Sequence, residues 1–131
     1  MDGAASGGPV DVVVRFNDCI NAQDVDGLAL LMSEDHVFVD SAGSRTGGRQ
    51  ACLEAWRGFF AAFPDYRNVF TSLRSEGDLV TVEGHSVCTE PALAGPALWT
   101  ARATGNRLAE WRVHEDSPAN RTRLDLPLRP A

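Results

Sequence analysis

His36-Val37-Phe38-Val39-Asp40-Ser41-Ala42-Gly43-Ser44-Arg45-Thr46-Gly47-Gly48 reads as a short strand that ends in an acid, then a glycine-rich turn, then the entry to a helix at Arg49. Strand side chains alternate between faces, so His36, Phe38 and Asp40 share one face while Val37 and Val39 share the other. Both faces are mostly apolar, which marks the strand as buried, and Asp40 is the exception. A buried carboxylate is costly unless hydrogen bonds satisfy it. Two roles answer that cost: a place on the wall of a pocket, or a cap on the Ser41-Ala42-Gly43 turn.

Upstream, Val12, Val13, Phe16, Cys19 and Ile20 recur at helical spacing, and Pro9 stands where a first helical turn tolerates it. This predicts a first helix from Pro9 to near Ala22. Asp24 is placed to cap a second, short helix carrying Val25, Leu28, Leu31 and Met32, and Ser33-Glu34-Asp35 is expected to break the pattern before the strand. Downstream of the turn, Cys52, Leu53, Trp56, Phe59, Phe60 and Phe63 form a broad apolar stripe that Pro64 stops.

From Tyr66 the composition becomes strand-like. Strands are expected over 66–73 and 79–89, where Leu79, Val80, Val82 and Val87 carry the apolar pattern, then over 97–103 and 107–115. Ser75-Glu76-Gly77-Asp78 and Thr104-Gly105-Asn106 are the turns, residues 90–96 a loop, and Ser117-Pro118 the cap of a last helical turn. Helices gathered early and consecutive strands gathered late make an α+β domain with helices on one face of a curved sheet. The expected divisions are a disordered N-terminus over 1–8, the domain over 9–124, and a loose C-terminal tail over 125–131.

The chain has 131 residues, 44% of them hydrophobic, with a net charge of −6. One folded domain fits this length, and the acidic balance argues against a nucleic-acid partner, which calls for clustered cations. All 12 cations are Arg, which excludes a lysine Schiff base or lysine nucleophile. No apolar run approaches a membrane span and the first residues lack signal-peptide character, so no membrane association and a cytoplasmic location are expected. Cys19, Cys52 and Cys88 form no C-x-x-C pair, and His36 and Asp40 lie roughly 13 Å apart along a strand. Neither pattern points to a metal.

Several motifs in order carry a resemblance: Phe16-Asn17 followed by Asp24-Val25-Asp26-Gly27-Leu28 and Leu31-Met32; Phe38-Val39-Asp40; Gly47-Gly48-Arg49; Phe63-Pro64-Asp65-Tyr66; and Leu108-Ala109-Glu110-Trp111. Over roughly residues 10 to 116 the chain resembles the nuclear transport factor 2-like superfamily, in its SnoaL-like and ketosteroid isomerase-like branch. The resemblance implies a cone-shaped barrel of a curved mixed or antiparallel sheet, with three helices on its concave face. It also implies an apolar pocket for a small hydrophobic ligand, no cofactor, and a homodimer formed through the sheet.

Against the ketosteroid isomerases, Asp40 falls on the catalytic general base, which moves a proton on a carbon next to a carbonyl. The oxyanion-donating tyrosine falls at Phe16, which has no hydroxyl, and the second acid falls near Trp99, whose indole N–H offers one hydrogen bond. Loss of these donors removes what is normally the largest catalytic contribution. Phe38, Trp56, Phe60, Trp99 and Trp111 are expected to line the pocket beside Phe16. Val82, Gly84 and Ser86 share a face on which small residues leave room for substrate, although Gly84 also fits a sheet bend. Alternation points Trp111 and Glu115 inward, making Glu115 a second carboxylate near the mouth or a solvated strand end, and points Arg112, His114 and Asp116 outward. The function expected is a cofactor-independent enzyme of isomerase, cyclase or dehydratase type acting on a hydrophobic carbonyl compound. The alternative is a non-catalytic ligand-binding or dimerisation module of the same fold.

Overall fold

The computed structural model describes residues 8–129, so all of the expected disordered N-terminus except Gly8 lies outside the described residues. The first helix, α1 (Pro9–Ala22), carries Pro9 in its first turn and buries Val12, Val13, Phe16, Asn17 and Ile20 on one stripe. Gln23 ends it in the left-handed region, φ 56°. Asp24 then starts α2 (Val25–Leu31), its side chain accepting from the Gly27 N–H at 2.9 Å, which satisfies one of the free donors of a first helical turn.

Met32, expected to close α2, instead opens β1 (Met32–Val39), and the polar Ser33-Glu34-Asp35 lies inside that strand. Its propensity there is poor; the β6 pairing of Met32 before it and Val37 after it carries it into the strand, and tertiary context overrides local preference. The cost shows as an irregular register between Met32 and Val37 against β6. The glycine-rich turn also holds a strand that the sequence did not announce, β2 (Arg45–Gly47), antiparallel to β1. Next, α3 (Arg49–Ala62) buries Cys52, Leu53, Trp56 and Phe60. Then β3 (Arg67–Glu76) and β4 (Leu79–Val87) form a hairpin. The expected loop after it holds a 3-10 turn at Pro91–Leu93. The chain continues through β5 (Gly95–Thr104), β6 (Arg107–Glu115) and a short α4 (Pro118–Arg123) capped by Ser117.

Among the described residues six strands run in the order β2-β1-β6-β5-β4-β3, and of their pairings only β1–β6 is parallel, so the sheet is mixed. It curves without closing, since β2 and β3 remain its edges; the expected cone is open on one side. Helix α1 packs across β3 to β6, and α3 packs on β1 and β2. Between sheet and helices lie Phe16, Ile20, Met32, Val80, Val82, Trp99, Leu108 and Trp111, all at most 1% exposed. At about 1.5–3 kcal/mol for each fully buried large apolar side chain, this layer is the main source of stability.

Gly84 faces Phe70 beside a bulge in the β3–β4 register, and a Cβ there would overlap the Val69 carbonyl oxygen. The glycine is explained by this close backbone approach and not by space left for a ligand.

The outer face of the sheet holds charge. Glu83, Thr100 and His114 alternate with inward-facing Val82, Trp99 and Val113. Over them Arg121 of α4, 2% exposed, makes paired bonds to Asp116 (2.6 and 2.9 Å) and reaches Glu83 at 2.7 Å. Residues 125–129 of the expected loose tail take part in this tether. The Pro127 carbonyl accepts from Arg121 at 2.7 Å, Arg129 meets Asp116 at 3.2 Å, and Arg74 of β3 donates to the Leu124 and Asp125 carbonyls. No helix among the described residues is long and apolar enough to cross a membrane.

Candidate functional site

The strand order separates β1 from β3, yet side chains of both face one cavity, because the sheet curls. The cavity, about 310 Å³, falls at the small end of the range for ligand pockets. Phe38 and Asp40 come from the end of β1, and Trp99, Trp111 and Val113 from β5 and β6. Helix α3 contributes Cys52, Ala55, Trp56 and Phe59, and Tyr66 and Asn68 come from the start of β3. Leu93 of the 3-10 turn and Ser41 close the rim.

The aromatic wall is held by its own packing. Trp56 stacks on Phe60 with ring centroids 5.3 Å apart and meets Phe38 edge-on at 5.9 Å, geometries that suit the ring quadrupoles. Phe59 meets Tyr66 edge-on at 4.8 Å. The loop bearing Leu93 is anchored at its start by Asp65, which accepts from the Thr89 N–H at 2.8 Å. That hydrogen bond is the main reason the Asp65 carboxyl sits below its ordinary pKa.

Asp40 is partly exposed on the cavity wall. Its Oδ1 accepts from the Ala42 and Ser44 N–H groups, each at 2.9 Å. Both roles read from the sequence are thus present together, a turn cap and a wall position. Asp40 is the only carboxylate among the described residues of this wall.

The other predicted positions divide. Phe38, Trp56, Trp99 and Trp111 line the cavity with Asp40. Ser86 and Glu115 line an adjoining, more open recess of about 440 Å³ that shares Ser41, Tyr66, Leu93 and Val113 with it. Phe16, Phe60 and Val82 belong to the core behind the wall and are absent from its lining. Phe16 is fully buried between His36 (5.7 Å) and Trp111 (4.9 Å). Gly84 opens onto the outer side of the sheet beside His85 and Pro96. His36 is buried in the core, where its Nδ1–H donates to the Leu108 carbonyl at 2.7 Å, and burial holds its pKa below the ordinary value.

The sequence reading passed over Tyr66 and Asn68. Their signal was available: Tyr66, Asn68 and Phe70 alternate in a strand, and two aromatic residues spaced that way place the asparagine on the inner face. The Tyr66 hydroxyl lies 3.1 Å from Ser86 Oγ, which donates to Asn68 Oδ1 at 2.8 Å. Burial pushes the Tyr66 phenol pKa up, against the hydrogen bonds to Ser86 and Asn68, so the phenol stays protonated near neutrality. Among the described residues, no group of three or more His, Cys, Asp or Glu side chains is placed to hold a metal ion.

Residues 13–116 match the SnoaL-like domain, and the chain belongs to the SnoaL-like family. No functionally curated protein matches it. Among solved structures it is similar to a candidate polyketide cyclase from Sinorhizobium meliloti, at 22% identity and a TM-score of 0.72 over 79% of this chain and 94% of that one. It is also similar to IdmH, a candidate polyketide cyclase from Streptomyces antibioticus, at 20% identity and a TM-score of 0.69 over 90% and 99% of the two chains. An LEH-like epoxide hydrolase from M. tuberculosis matches at 16% identity and a TM-score of 0.73, over 82% of each chain. At these identities the likeness is one of fold.

Proposed function

We propose that this chain is a small, cofactor-independent enzyme that moves a proton on a carbon next to the carbonyl of a hydrophobic metabolite, with Asp40 as general base. The observation that carries the reading is a single carboxylate, Asp40, on a largely apolar wall rich in aromatic residues. The Ala42 and Ser44 N–H groups fix the carboxylate through Oδ1, and Oδ2 is the oxygen that takes the proton and returns it. An apolar surround strengthens such a base by excluding competing water. Isomerisation, cyclisation and dehydration share this step, and the candidate polyketide cyclases of the same fold support that range.

The second reading, a ligand-binding module without catalysis, draws on the same hydrogen bonds, because an aspartate that caps its own turn already has a structural task. One experiment separates them. The methyl protons of 2-acetylnaphthalene are adjacent to a carbonyl, and their exchange with D₂O is followed by proton NMR. The wild type should accelerate exchange and Asp40→Asn should abolish the acceleration while still binding the ketone, since an amide oxygen can accept the same two turn N–H groups. Equal exchange in both proteins, or none in the wild type, would leave the binding module as the answer.

A further inference from the structure

Asn68 is 2% exposed, yet it lines the cavity. Its backbone is held from α1: the N–H donates to Asn21 Oδ1 at 2.8 Å, and the carbonyl accepts from Asn21 Nδ2 at 2.9 Å and Asn17 Nδ2 at 3.3 Å. Its Oδ1 is taken by the Ser86 hydroxyl. What remains is the Nδ2 amino group, of which one N–H is turned to the Tyr66 hydroxyl and the other has no partner among the described residues. Asn68 is one of the residues that line the cavity, and this second N–H is the side-chain donor it brings there.

The order of hydroxyls is consistent with the way the amide points. Ser86 has one proton; giving it to Asn68 Oδ1 leaves Ser86 Oγ to accept from the Tyr66 O–H. The amide oxygen is thereby assigned to the sheet side and the amino group to the cavity side. A ligand acceptor that reaches this N–H gains a net hydrogen bond.

We propose that Asn68 Nδ2 is the donor that binds the substrate's carbonyl oxygen and stabilises the negative charge that grows on it when a proton leaves the neighbouring carbon. Ser86 and Tyr66 are the positioning residues that hold the amide in this orientation. The assignment rests on reading the cavity as a carbonyl site with Asp40 as base, and it supplies the oxyanion donor that Phe16 cannot. Asp40, just after β1, and Asn68, on the edge strand β3, come from strands far apart in the sheet, so base and donor approach a bound ketone from different walls.

The test compares 2-acetylnaphthalene with its alkene isostere, 2-isopropenylnaphthalene, by ligand-observed NMR at pH 8. Wild type should bind the ketone about tenfold more tightly, the ratio equivalent to one net hydrogen bond of about 1.4 kcal/mol. Asn68→Asp keeps the acceptor for Ser86 and deletes the donor; it should lose the preference while alkene affinity stays within about twofold. Ser86→Ala, which frees the amide to rotate, should reduce the preference by about threefold. The infrared band of the ¹³C-labelled ketone carbonyl, measured on the wild type alone, should shift to lower frequency on binding.

A wild type without ketone preference or without the infrared shift overturns the assignment, as does an Asn68→Asp protein that keeps the preference. Asp40→Asn must retain it. If the preference is present but methyl exchange is absent, Asp40 fails as base and Asn68 stands; if exchange is Asp40-dependent and Asn68→Asp keeps the preference, the reverse holds.

Discussion

Replacing Arg121 with Met removes a guanidinium that is 2% exposed and leaves Asp116, whose side chain is 3% exposed, facing a partner without charge. Breaking one side of a buried pair costs about 3–5 kcal/mol, because the remaining charge is stranded. Arg129 still reaches Asp116 at 3.2 Å, which places this case near the lower figure, although its side chain is 56% exposed and offsets only part of the lost charge. Roughly 3 kcal/mol corresponds to a fall in melting temperature of about 10 °C for a domain of this size. Urea unfolding followed by tryptophan fluorescence measures the loss, and the double variant with Asp116→Asn measures how much of it belongs to the pair. The double variant should recover part of the deficit, because the stranded charge is gone. A loss below about 1 kcal/mol, or one that disappears in 1 M salt, would mean that the pair behaves as an ordinary surface ion pair and that the buried geometry is wrong.

Three further outcomes follow from the same structure. Gly84→Ala should destabilise by about 1–3 kcal/mol in the same urea assay, because the added methyl meets the β3 backbone; a neutral result would remove the close approach as the reason for the glycine. His114, hydrogen-bonded to Thr100 at 2.8 Å, has its pKa lowered to about 4 by burial, then by Arg123 and Arg112. Between about pH 6.5 and 4 the unfolded chain binds the proton and the folded one does not, so stability should fall on acidification through that window, by up to about 3 kcal/mol, and His114→Gln should flatten the slope. The lowered carboxyls of Asp65 and Asp116 act in a separate window, with their stabilisation lost only below about pH 4, so a slope confined to that range would assign the acid sensitivity to them instead.

Much of the fold was legible because the helices announce themselves twice, by apolar spacing and by caps. Pro9, Asp24 and Ser117 each stand at the helix start that the sequence predicts. What was illegible depended on pairing. Ser33 to Asp35 have no strand character of their own and are carried into the strand as the irregular stretch between Met32 and Val37, which do pair with β6; the three residues of β2 are too few to show a period. On the site, alternation brought Phe38, Asp40, Trp99 and Trp111 to one cavity, while Phe16 and Phe60 lie one layer behind it, a distinction of depth that periodicity does not carry. Asn68 was missed because a polar residue in a strand looks solvated; the flanking aromatics Tyr66 and Phe70 mark its face, but its fixing by Asn17, Asn21 and Ser86, distant in sequence, is seen only in the fold.

The family match stops at residue 116, yet Asp116 is where Arg121 and Arg129 fasten the remaining chain to the sheet. A fragment cut at that homology boundary would keep every residue of the aromatic cavity and forfeit the counter-ion of Asp116, the basic neighbour of His114 and the carbonyl partners of Arg74. For this chain the stretch that the family match covers and the stretch that is tied to the sheet have different ends, and truncation at residue 116 would stop one helix short.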